Sequence, residues 1–222
     1  MQYRIKRMRR KTTGIYITED GSVEIRAPYG VPEAEIDRFA REKEDWIRAH
    51  QAAVRERNRQ REAYCLQPGG SLLFLGRERP LAPSQTNRLT FDGERFLIPD
   101  APMEILRPAV AALYRQAARQ LLPEIAARYT PLVGREPAQI RISSAKTRWG
   151  SCSAQGGLNF SWRLMFATPG AIDYVVVHEL AHLVEFNHSP RFWALVEAIL
   201  PDWRERRQSL AAIQETLQRQ GW

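Results

Sequence analysis

No apolar run in this sequence approaches the ~18 residues that a membrane-spanning helix requires. The N-terminus carries five arginines and lysines ahead of Lys11 but lacks the apolar stretch of a signal peptide. A cytoplasmic protein without a membrane span is therefore expected. Cysteine is scarce too: Cys65 and Cys152 are the only two, and their spacing fits neither a zinc nor a redox motif, so free thiols in a reducing compartment are expected. Internal repeats, low-complexity tracts and flexible linkers are missing, which excludes repeat arrays. With 44% hydrophobic and 26% charged residues the chain is ordinary globular material, not a disordered one. Acidic residues are outnumbered 25 to 33, giving a net charge of +8, which favours anionic partners without naming one. Basic residues crowd Arg4 to Lys11 and Arg55 to Arg61. At helical spacing the second group spreads around the axis, so a solvated helix end is expected ahead of a nucleic-acid patch, and any nucleic-acid binding through this basic surface should be weak. Nothing in the sequence fixes the oligomeric state.

Histidine is also rare, four in 222 residues, yet three fall in one window: His178-Glu179-Leu180-Ala181-His182, then His188. On a helix, His178 and His182 lie one turn apart on the same face, so their imidazoles can converge on one ion. His188 follows after enough chain for the helix to end and turn back. Three protein ligands then leave one coordination position open, the mark of a catalytic rather than a structural zinc, although another divalent ion would fit the same donors. Glu179, beside the first ligand, is placed to take a proton from water that the ion acidifies. Around the motif Ile172, Tyr174, Val175, Val176, Val177, Leu180, Ala181, Leu183 and Val184 are nearly all apolar. The helix is thus expected to be buried on most of its circumference. Two histidines and a glutamate buried there would cost several kcal/mol without partners, and a metal supplies them together.

Along the chain, Tyr3 to Arg10, Gly14 to Thr18 and Val23 to Ala27 read as strands of a small antiparallel sheet, with Glu19-Asp20-Gly21 as a turn. Pro32 then opens one long helix, with Ile36, Phe39, Ala40, Lys43, Trp46, Ile47, His50 and Val54 at helical intervals, ending before Pro68-Gly69-Gly70. His50 is expected to be a core or boundary histidine, not a fourth ligand. Strands are expected at Leu72 to Leu75, Arg88 to Phe91 and Arg95 to Ile98. A helix carrying Val110, Leu113, Tyr114, Ala117 and Leu121 follows, with Pro108 marking its start and Pro123 kinking or dividing it.

Between that helix and the histidine helix lie Ile140 to Ser143, Lys146 to Ser153 and Gly157 to Phe166, read as two strands around a turn. Arg148 beside Trp149 has two readings: a fixed cation for a carboxylate, phosphate or oxyanion, or a surface arginine stacked on a structural tryptophan.

The strings Thr147-Arg148-Trp149-Gly150-Ser151-Cys152-Ser153, Asn159-Phe160-Ser161-Trp162-Arg163-Leu164, Ile172 to Leu183, and Asn187-His188-Ser189 with Phe192-Trp193 and Pro201-Asp202 closely resemble the YgjP-type family of zinc metallohydrolases. The resemblance runs at least from about residue 138 to 210. The family is similar to the SprT-like and WLM groups of the zincin clan and is usually labelled metallopeptidase. The resemblance implies His178, His182 and His188 as ligands, Glu179 as general base, and Arg148 and Trp149 at the substrate cleft. The metzincin pattern has a glycine midway between its second and third histidines, where this chain has Glu185, so metzincin proper is disfavoured. The turn is expected at Asn187 in a left-handed conformation, with Ser189-Pro190 opening a new helix. Glu185 is either an acid supporting a ligand or merely exposed.

The expected class is α+β: a β-rich region with one long helix over residues 1–100, then a zincin-like metallohydrolase domain over 101–222 with its H-E-x-x-H helix packed on a small sheet. The expected activity is that of a zinc-dependent hydrolase acting on peptides. The alternatives are a metal-dependent nucleoside triphosphate (pyro)phosphohydrolase and a nucleic-acid-associated, SprT-like protease.

Overall fold

Strict alternation in Val23-Glu24-Ile25-Arg26-Ala27 turns every second side chain into a core, and these residues form the central strand of the first sheet. The structure is a computed structural model that describes residues 2–222, an α+β arrangement in which the described residues form six α-helices and three small sheets. Its contacts divide it into two compact units: the segment up to Tyr64 with Gln218–Gly221, and Cys65–Leu217 with Trp222. The expected division near residue 100 differs from this one, because the strands between 71 and 98 belong to the second unit.

In the first unit β1 (Arg4–Arg7), β2 (Gly14–Ile17) and β3 (Val23–Ala27) form a sheet of order β1-β3-β2. It is mixed, not antiparallel as expected: β2 pairs antiparallel with β3, but β1 runs parallel to it. The stretch Met8–Thr13 stays at the end of the sheet where β1 finishes and crosses β3, so that β2 begins on its other side. The expected long helix is two, α1 (Glu33–Glu42) and α2 (Glu44–Ala63), interrupted at Lys43. Ile36, Ala40 and Ile47 pack on Val23, Ile25 and Ala27. On α2 only Ile47 of the apolar stripe is buried: Trp46 is exposed, and His50 lies stacked on it at 3.8 Å in solvent, not in a core. α2 is held instead by polar ties, Gln51 to the Gly21 carbonyl and Asn58 to that of Glu19, both at 2.8 Å. Of the arginines at its end, Arg59 pairs with Glu56 and Arg61 donates to the Gln218 carbonyl.

The second unit holds β4 (Ser71–Phe74), β5 (Arg77–Pro83), β6 (Thr90–Phe91) and β7 (Phe96–Ile98) in the order β4-β5-β7-β6. β5 is not among the strands expected from the sequence, and it holds Pro80 and Pro83, residues uncommon inside a strand. α3 (Met103–Val133) runs unbroken through Pro108, Pro123 and Pro131, contrary to the expected start and division. Its Leu106, Val110, Tyr114, Ala118, Leu122 and Ala126 recur every four residues and are buried, so tertiary packing offsets the backbone bonds that the prolines remove. Then follow β8 (Gln139–Ser143), β9 (Gly150–Cys152) and β10 (Gly157–Ser161), three strands where two were expected. They form a sheet of order β8-β10-β9 with β9 at one edge. A short 3₁₀ helix (Trp162–Phe166), α4 (Pro169–Ala181), α5 (Pro190–Ile199) and α6 (Trp203–Gln220) complete the chain. Tyr114, Trp162, Phe166 and Trp222 pack ring on ring at the centre of this unit. No helix of the described residues is long and apolar enough to cross a membrane.

Candidate metal centre

The start of α4 is fixed by a capping residue and a proline. Thr168 caps it, its hydroxyl accepting from the Ala171 N–H, and Pro169 takes the first helical position. Its residues Ala171, Ile172, Val175, Val176, Val177, Leu180 and Ala181 are buried. The start is clamped from outside by the β4–β5 turn. Leu75 adopts φ 51°, and its N–H donates to the Met165 carbonyl at 2.7 Å. Gly76 has φ +73°, and a Cβ there would fall 2.7 Å from Thr168 Cα. Glycine is thus required at 76 both by backbone conformation and by space.

His178 and His182 project from the same face of α4, ring centroids 4.9 Å apart, with His182 as the helix C-cap. The chain then turns through N–H groups of Leu183, Val184 and Glu185 that donate back to Leu180 and Ala181. The expected left-handed Asn187 is not used: Leu75 alone among described non-glycine residues has positive φ. Helical-type turns at 182–185 reverse the chain before Asn187 is reached. Ser189 caps α5, accepting from the Phe192 N–H, with Pro190 at the first position.

This return brings His188 to 5.0 Å from His178 and 4.7 Å from His182, ring to ring. One donor nitrogen from each of the three lies within 4.8 Å of the others. One side chain supports all three: Phe192, fully buried, lies 4.9, 4.5 and 4.8 Å from the rings of His178, His182 and His188. Trp193 stacks on His188 at 5.5 Å and on Trp203 at 4.4 Å.

Protonation states follow from the surroundings. His182 Nδ1 lies 3.1 Å from the Glu185 carbonyl, which can only accept, so Nδ1 carries the hydrogen and Nε2 keeps its lone pair. The contact of Glu185 with the triad is thus made by its backbone carbonyl, and the residue is half-buried. Burial, reinforced by the neighbouring His182 and His188 imidazoles and by Arg207, holds His178 down to about 3. Burial likewise lowers His182, against the Glu185 hydrogen bond. Nε2 of His178 and of His188 face each other at 3.1 Å. Convergent imidazole nitrogens, at least two of them on rings held neutral, are the donor set that zinc takes, and a cation satisfies lone pairs that otherwise repel.

Glu179 is buried, 6% exposed. Among the described residues neither carboxylate oxygen has a hydrogen-bond partner. Burial pushes its carboxyl up to about 7, with the nearby Arg148 charge pulling the other way. Glu179 and burial together also raise the Cys152 thiol, burial being the larger cause.

Arg148 itself is exposed and sits on the loop between β8 and β9. Two residues not singled out individually in the sequence hold that loop. Ser161 donates its hydroxyl to the Ala145 carbonyl at 2.7 Å and its N–H to the Trp149 carbonyl at 2.8 Å. Arg163, buried and stacked on Trp162, donates to the carbonyls of Ser144 and Ala145 at 2.9 and 3.3 Å. Both lie within the Asn159–Leu164 string, but their targets are carbonyls, which no residue type announces. Trp149 immediately precedes the strand residue Gly150. The structure therefore brings the three histidines together, keeps Glu179 buried next to the first of them, and leaves Arg148 within electrostatic reach of Glu179.

A family model described as YgjP-like, metallopeptidase domain, matches residues 11–213. No curated protein matches the chain. Among solved structures it is similar to the metallopeptidase zymogen of Pyrococcus abyssi abylysin, with 21% identity and a TM-score of 0.39 over 41% of this chain and 93% of that one. At that score the likeness carries no argument.

Proposed function

Since the chain belongs to the YgjP-like metallopeptidase family, we propose that it is a zinc-dependent peptidase in which His178, His182 and His188 hold the ion and Glu179 is the general base. The observation that carries this reading is the convergence of the three imidazoles beside a buried carboxylate on one short helix. Zinc bound there would act as a Lewis acid on the scissile carbonyl and bring a water's pKa toward ~7.

The protein's own groups account for the rest. Glu179 accepts the water proton at a carboxylate oxygen and delivers it to the leaving nitrogen. Burial raises that carboxyl in the metal-free protein, which favours a group that can both take and return a proton. Arg148, on a loop fixed by Ser161 and Arg163, offers a cation to the developing oxyanion or to a substrate carboxylate. β9 pairs with β10 on one side only among the described residues, so its other edge is free to pair with an extended peptide beside Trp149.

The test is to incubate zinc-loaded protein and its Glu179→Gln variant with unfolded proteins and, in parallel, nucleoside triphosphates. Peptide cleavage by the wild type, falling about 100-fold or more in the variant, is expected. Release of phosphate or pyrophosphate dependent on Glu179 and Arg148, without proteolysis, would replace the peptidase reading by a phosphohydrolase one.

A further inference from the structure

What holds the Glu179 carboxylate in place is not a hydrogen bond. The carboxylate instead lies against the backbone of β9 at Gly150. A Cβ on Gly150 would fall 2.6 Å from Glu179 Cγ, 2.7 Å from Oε1 and 2.9 Å from Cδ. The three nearest atoms all belong to that one side chain. Gly150 does not have a positive φ, so its backbone conformation is open to any residue. A glycine inside a strand costs roughly 0.5–1 kcal/mol relative to alanine, and its presence marks close approach by another group.

We propose that Gly150 is the positioning residue for Glu179: the bare Cα of β9 forms the wall that sets where the base's carboxylate stands. The inference rests on the reading of Glu179 as the base. It separates two functions of the edge strand, one edge being free while its face locates the acid–base group. It also gives the Trp149-Gly150 pair a division of labour. The Trp149 carbonyl registers the strand on Ser161, and the next residue supplies the space that the carboxylate fills.

The test uses the full-length, zinc-loaded protein. In Gly150→Ala the flexible end of Glu179 must yield. The expected results are unchanged zinc stoichiometry, a melting temperature near that of the wild type, kcat on labelled casein lowered about 10–100-fold and KM little changed. In a Glu179→Gln background the same substitution should lower the rate no further, whereas a merely structural defect would add to the loss. Gly157→Ala on β10 is the control, since its Cβ would approach only the side-chain atoms of Gln139 and Ser153, at 3.2 Å. A crystal structure of zinc-loaded Gly150→Ala decides the point without any assay: the Glu179 carboxylate displaced and the three histidines unmoved supports it. A carboxylate still in place with β9 shifted instead, or an additive loss in the double variant, overturns it. Should the wild type cleave no protein at all, the peptidase reading fails, while the crystal structure still decides whether Gly150 places Glu179.

Discussion

Glu179 should leave a signature in stability as well as in rate. Its folded carboxyl is raised to about 7 from an ordinary value of 4.5. Between those values the unfolded chain has lost the proton and the folded protein keeps it, so this group's contribution to stability is full below about 4.5 and is lost as pH rises through about 7. Glutamine cannot ionise and has no such slope. In the presence of a chelator, the melting temperature of Glu179→Gln relative to wild type should therefore rise from pH 5 to pH 8. A difference that stays flat across that range would mean the carboxyl is not raised. At this scale the convergence of His178, His182 and His188 was legible because four-residue spacing and scarcity both point to it. The Glu185 carbonyl and the Ser161–Arg163 ties were not, because a backbone acceptor belongs to every residue type. Gly150 lay inside a recognised string, but only the approach of α4 to β9 shows what its missing side chain makes room for.

Among elements, the helix that carries the site is fixed at its start by a turn from another sheet. Gly76→Ala should cost about 2 kcal/mol or more, from left-handed strain plus collision with Thr168. Gly21→Ala, at φ +82° with nothing within 4 Å, should cost only the strain, and urea unfolding of the two variants separates the contributions. A smaller loss at 76 than at 21 would mean that the turn does not clamp α4. The sequence located the histidine helix α4 by its motif and apolar surroundings and α5 by its Ser189-Pro190 start, while the Thr168-Pro169 start of α4 was not read. Sequence periodicity failed where long-range packing overrides local rules: α3 runs through three prolines on its four-residue core stripe. β5 tolerates Pro80 and Pro83 as a pairing partner of β4 and β7. The parallel pairing of β1 depends on where the connection crosses, which strand composition does not encode.

For the whole molecule, the α+β class was readable, whereas the contacts divide the chain after Tyr64 and not near residue 100. The segment 71–98 looks like more of the N-terminal sheet by composition, yet its Leu75–Gly76 turn abuts Met165 and Thr168. A metal that binds the folded chain and not the unfolded one raises stability by mass action, about 4 kcal/mol at a thousandfold excess over Kd. Chelation should accordingly lower the melting temperature of the wild type, and adding zinc back should restore it. In a His188→Ala variant the response should shrink markedly. A response unchanged there would remove His188 from the ligand set.

Because the Phe192 ring packs against each of the three imidazoles, the proposed ligands share a single mechanical support. Erosion of that support cannot proceed ligand by ligand. A truncated side chain at 192 would loosen the whole triad in concert, so titrations of such a variant should pass from full occupancy to none without a weakened, two-coordinate intermediate between.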